Sequence, residues 1–76
     1  MSKLPVISSR ELIKFLTKKK GFHYDHSTGS HHVLKSGDGK ITVTIPERRE
    51  IGKGLLLAIF EVVGMNRDDF IHEWNK

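Results

Sequence analysis

Phe22-His23-Tyr24-Asp25-His26-Ser27-Thr28-Gly29-Ser30-His31-His32-Val33-Leu34-Lys35-Ser36-Gly37-Asp38-Gly39-Lys40-Ile41-Thr42-Val43-Thr44-Ile45 is the stretch that decides the fold. Phe22 and Tyr24 alternate with His23 and Asp25, the period-2 pattern of a short strand. Ser27-Thr28-Gly29 supplies turn chemistry, and Ser30 to Lys35 reads as a second strand. Ser36-Gly37-Asp38-Gly39 is a hairpin turn, after which Ile41, Val43 and Ile45 alternate with Thr42 and Thr44 in a third strand. Three short strands joined by tight loops predict an antiparallel meander with one apolar face. Successive side chains on a strand point to opposite sides, so His31 and His32 must part company. Because Val33 and Leu34 are both apolar, alternation leaves open which histidine is exposed.

Outward from the meander, helical signals appear on both sides. Ser8-Ser9-Arg10-Glu11 fits a capping box, and Leu12, Ile13, Phe15 and Leu16 follow at helical spacing. Lys18-Lys19-Lys20 suits the negative end of that helix dipole, and Gly21 suits the residue just past it. Met1 to Ile7 reads as an extended lead-in, with Pro5 disfavouring helix at Leu4. Beyond the third strand, Pro46 to Gly52 is a polar crossing that contains Glu47, Arg48, Arg49 and Glu50. Leu55 to Val63, apolar nearly all round and ended by Gly64, is the expected central buried helix, with some surface left over that a small sheet could not cover. Asn66 is a candidate cap for a last short helix whose inner face holds Phe70, Ile71 and Trp74. The predicted class is α+β: helix, three-stranded antiparallel sheet, helix and short C-terminal helix, with residues 1–76 as a single domain.

Composition narrows the function classes. The 76 residues contain no cysteine, so disulfides and thiolate zinc sites are excluded, in keeping with a cytoplasmic protein. No secretion signal or long apolar span is apparent, so no membrane role is expected. Thirteen Lys+Arg against nine Asp+Glu give a formal charge of +4, which favours a polyanionic or acidic partner.

The candidate chemistry lies in the histidines. His23, His26, His31 and His32 crowd into one hairpin, and histidine titrates near neutrality. Taken alone, Gly29-Ser30-His31-His32 reads as an ordinary turn with solvated histidines on a half-buried strand. A metal site is disfavoured, because the histidines spread over both faces of the strands and only Asp25 could assist them. Metal-free acid–base work on RNA asks for less. The 2′-hydroxyl is a built-in nucleophile, so cleavage needs a base, an acid and positive charge for the developing phosphorane. One histidine with lysine or arginine nearby is a minimal set for that, and no cofactor is implied.

The chain resembles the HicA family of toxins. The matching stretches are Ser9-Arg10-Glu11-Leu12 to Lys20-Gly21-Phe22, then Gly29-Ser30-His31, then Ser36-Gly37-Asp38-Gly39-Lys40. They continue through Ile45-Pro46 and Glu50-Ile51-Gly52-Lys53-Gly54 to Leu56, Ile59 and Val63-Gly64-Met65. The resemblance implies a fold like the double-stranded-RNA-binding domain. It also implies the toxin of a type II toxin–antitoxin pair: an endoribonuclease that cuts mRNA, arrests translation and is restrained by a HicB-like antitoxin. The histidine of the Gly-Ser-His step is catalytic in the family, and here it is His31, preceded by Gly29 and Ser30 on the RNA side.

Two departures stand out. A histidine often found two residues after the proline of the third strand is Arg48 here, and Gly-Thr-Leu at the second helix becomes Gly54-Leu55-Leu56. His31 is therefore expected to work with basic helpers. Lys20, Lys40, Arg48 and Arg49 are the candidates for holding phosphates, chosen by charge and chain position. The rival readings are a non-catalytic RNA-binding module of the same fold and a metal-binding interaction domain.

Overall fold

The computed structural model describes residues 4–75. Met1, Ser2 and Lys3 of the expected lead-in lie outside the described residues. From Leu4 onward the lead-in is not helical, and Ile7 is buried in the core. The order is α1 (Ser9–Lys19), β1 (His23–Thr28), β2 (His31–Lys35), β3 (Thr42–Pro46), α2 (Lys53–Val63) and α3 (Arg67–Trp74). The three strands form one antiparallel sheet in the order β1-β2-β3. This is the expected α+β layout of the double-stranded-RNA-binding-domain type.

The helix ends form for the anticipated reasons. Ser8 accepts from the Glu11 amide at 3.1 Å while the Glu11 carboxylate accepts from the Ser8 amide at 2.9 Å, the reciprocal capping box. Gly21 takes a positive φ of 73°, which lets the chain leave α1 and enter β1. Asn66 accepts from the Asp69 amide at 2.8 Å and caps α3.

Leu12, Phe15 and Leu16 of α1, Leu34, Val43 and Ile45 of the sheet, Leu56, Ile59 and Phe60 of α2, and Phe70 of α3 share one core. The sheet therefore has a covered face and an open one. Helix α2 buries Leu56, Ile59 and Phe60 and leaves Leu57 and Val62 substantially exposed, the leftover apolar surface expected of it. A helix lying beside a three-stranded sheet presents only one side to it, so an apolar circumference does not make a central helix. With Leu55, Ala58, Ile59 and Val62, it lines a shallow groove along Thr42, Val43 and Thr44 of β3.

Strand β1 differs from expectation. Ser27 and Thr28 belong to the strand rather than the turn, pairing with His32 and His31, so only Gly29 and Ser30 connect β1 to β2. The register shifts between Tyr24, opposite Leu34, and His26, opposite Val33, which makes Asp25 the extra residue of a bulge. Neighbours on a regular strand point apart. Here Asp25 Oδ2 and His26 Nδ1 meet at 2.6 Å.

Candidate functional site

Pairing register settles which histidine faces outward. Residues directly opposite one another share a face. His32 sits opposite Ile45 and two residues from Leu34, both fully buried, so it belongs to the covered face at its rim. His31 sits between Thr28 and Pro46 on the open face, at the first position of β2, and is exposed. Among the described residues, nothing hydrogen-bonds or ion-pairs with the His31 ring.

The corner before it is tight. Gly29 has a φ of 59°, a left-handed conformation that costs an L-residue about 1–2 kcal/mol. It stands at the first central position of a two-residue hairpin turn, where glycine is favoured. A Cβ at Gly29 would meet nothing within 4 Å, so the demand on this position is conformational rather than steric. Ser30 is exposed, and its carbonyl accepts from the Glu47 amide at 2.7 Å, one step beyond the His31–Pro46 pair.

His32 is held at both ring nitrogens. The Tyr24 hydroxyl is 2.9 Å from Nδ1 and Glu47 Oε1 is 2.5 Å from Nε2. An ionised carboxylate can only accept, so Nε2 carries the proton toward Glu47. In the neutral ring Nδ1 is then the acceptor for the Tyr24 O–H. The hydrogen bond from His32 holds the Glu47 carboxyl below the usual range, with Arg10 adding to the effect. Ser9, fully buried at the start of α1, lies 3.4 Å from Glu47 Oε2 and 3.1 Å from the Arg48 carbonyl, so its one hydroxyl proton serves one of the two at a time. Its oxygen also accepts from the Arg48 amide at 3.1 Å, and its own amide donates to the Arg48 carbonyl at 3.0 Å.

The expected site residues fall into two groups. Gly29, Ser30, His31, Arg48 and Arg49 gather at the end of the sheet where β1 turns into β2 and β3 exits. Lys20 follows α1, and Lys40 lies in the β2–β3 turn. These two share the opposite end, where the Gly21 carbonyl comes within 3.5 Å of where a Gly37 Cβ would lie. Strand β2 separates the ends by about 13 Å at 3.3 Å per residue. Lys20 and Lys40 therefore stand at the far end of the sheet from His31. Ser9, Tyr24 and Glu47 also join this corner, although no motif in the sequence singles them out. Their only signal was register, and no local spacing carries it.

Asp38 accepts from the Ser36 hydroxyl at 2.6 Å and the Lys40 amide at 3.0 Å, which lowers its pKa and braces the far turn. Asp25 is lowered likewise by its hydrogen bond with His26. Among the described residues, no three His, Asp or Glu side chains gather to hold a metal ion, and no helix is long and apolar enough to cross a membrane.

Residues 9–65, well over half of the chain, match the family model described as the HicA toxin of bacterial toxin-antitoxin. No curated protein and no solved structure matches.

Proposed function

Because the chain belongs to the HicA toxin family of bacterial toxin–antitoxin systems, we propose that it is a metal-independent endoribonuclease that cuts mRNA in the cytoplasm through His31. The observation that carries this reading is the placement of His31: exposed, on the open face, at the first residue after a glycine turn, with its ring bonded to nothing among the described residues. A proton-transfer group has to be reachable by the substrate and unengaged by the protein. His32, gripped at both nitrogens, lacks that freedom.

In the proposed reaction the 2′-oxygen of one nucleotide attacks its own 3′-phosphorus as the 2′-proton leaves, and the bond from phosphorus to the 5′-oxygen of the next nucleotide breaks. The products are a 2′,3′-cyclic phosphate and a 5′-hydroxyl end. His31 supplies one of the two proton transfers, as general base or general acid, and water supplies the other. Arg48 and Arg49 follow the strand that pairs with His31 and are the basic helpers for the phosphorane charge in this reading. Lys20 and Lys40 would meet the RNA further along its backbone. A HicB-like antitoxin that covers the corner would silence the enzyme.

The test is cleavage of a defined RNA by purified protein in excess EDTA, with His31→Ala beside it. Cutting by the parent chain and a loss of about a hundredfold or more in the variant is expected. RNA that is bound but left intact would make the chain a binding module of the same fold. Cutting that stops in EDTA and returns with added magnesium or zinc would overturn the metal-free reading.

A further inference from the structure

His31 is itself ungripped, yet a proton-transfer group must be held to within a fraction of an ångström of its working position. What holds it must act through its neighbours in the chain. Both neighbours are bonded to the same residue. The Glu47 amide donates to the Ser30 carbonyl at 2.7 Å, and the Glu47 carboxylate accepts from His32 Nε2 at 2.5 Å. We propose that Glu47 is a positioning residue for His31, bracketing it from the residue before and the residue after. This rests on His31 being the proton-transfer group.

Three further contacts make the bracket rigid. Tyr24 grips the second nitrogen of His32, so the ring cannot turn over without breaking a bond at each side. Ser9 ties both backbone polar groups of Arg48 to the start of α1, which fixes the chain just past Glu47. The Ser9 hydroxyl also stands near the free oxygen of the carboxylate. Through its backbone amide and its side chain Glu47 thus ties β2 and the turn before it to α1, with β1 reached through Tyr24 and His32. The carboxylate acts there as an acceptor, a role that an amide oxygen in the same place can also fill. The titratable and charged groups that face it are His32 on β2 and Arg10 on α1, and Tyr24 on β1 joins through His32.

Glu47→Ala and Glu47→Gln separate this role from the alternatives. In Glu47→Ala, kcat for RNA cleavage should fall about tenfold to a hundredfold with KM nearly unchanged, because a misplaced group loses rate rather than binding. Glu47→Gln keeps an amide oxygen for Nε2–H and should recover most of the rate. A rise in KM at constant kcat, or equal loss in both variants, would overturn the proposal, since a contact with RNA or bare charge would then be at work. Hydrogen exchange gives a readout that needs no activity. The Glu47 amide proton, bonded to Ser30 in the parent, should exchange faster in Glu47→Ala at unchanged melting temperature. If the parent chain does not cut RNA but the amide loosens as expected, the catalytic reading fails while the bracket stands. If cutting depends on His31 and the amide exchange is unmoved, the bracket fails alone.

Discussion

His31 and His32 are consecutive in the chain and could hardly be treated more differently by the fold. On the covered face, His32 joins Tyr24, Glu47 and, through Glu47, Ser9 in a chain of hydrogen bonds beside the core. On the open face, His31 lies opposite Thr28 and Pro46 and two residues from Val33, with no hydrogen bond or ion pair to its ring among the described residues. Strand geometry alone produces this division, since a one-residue step turns a side chain through the sheet. One face stores the bonds and the other presents the group that can still make one. Chemistry and stability should therefore separate by face, and each of the following measurements can break that separation.

The largest effect is expected on the open face. His31→Ala should lower RNA cleavage by about a hundredfold to ten-thousandfold, the range of a lost general acid or base, with no change in unfolding midpoint. His32→Ala should cost far less rate and some stability. The opposite ranking in a cleavage assay would exchange the roles of the two faces.

A second pair compares Val33 with Leu34. Leu34 is fully buried, so Leu34→Ala should destabilise by about 2–5 kcal/mol in urea unfolding. Val33, half-buried on the open face, should cost about 1 kcal/mol when cut to alanine. Equal losses would mean that the open face is covered by something in solution.

RNA binding should follow the two ends of the sheet. Replacing both Arg48 and Arg49 with alanine should make the log–log dependence of binding on salt shallower by about 1.4, at 0.7 per phosphate contact on a single strand. An unchanged slope would remove these arginines from the RNA surface and leave the basic far end, with Lys20 and Lys40, to carry it.

The smallest expected effect is a pH dependence on the covered face. Glu47 titrates below the ordinary 4.5 in the folded protein because His32 bonds to its ionised form. Its contribution is therefore present above that value and is lost as pH falls through the lowered folded pKa. Asp25 and Asp38 act in the same sense through His26 and Ser36. Glu47→Gln should flatten one part of the acid limb of a stability–pH curve, and a curve identical to the parent would mean that the His32 contact is not kept in solution.

Much of this was legible without coordinates because it is written in local chemistry. Ser8 with Glu11, Gly21, the Ser36-Gly37-Asp38-Gly39 turn, Gly64 and Asn66 each mark an end by what their own atoms can do. The alternation of Val43 and Ile45 with threonines gave the covered face of β3. What was not legible depends on pairs far apart in sequence. The sides taken by His31 and His32 follow from which residues of β3 lie opposite them, and Val33-Leu34 offers no contrast to decide it. Glu47 looks like one more charge in a polar crossing until register brings it beside His32 and Ser30. Ser27 and Thr28 look like turn residues until the bulge lengthens β1 to take them in.

That bulge bears on how relatives of this chain should be aligned. Asp25 has no partner across the ladder, so the pairs on either side of it, Tyr24 with Leu34 and His26 with Val33, already stand in the register of a regular strand. A chain with one residue fewer between α1 and the Gly-Ser-His step would close the same hairpin and present the same histidine. Loss of a residue at Asp25 would therefore leave the pairs on either side of it in regular register, whereas loss of one between Thr28 and His31 would break the two-residue turn. A search pattern for such proteins should allow a gap at Asp25 and forbid one at the turn.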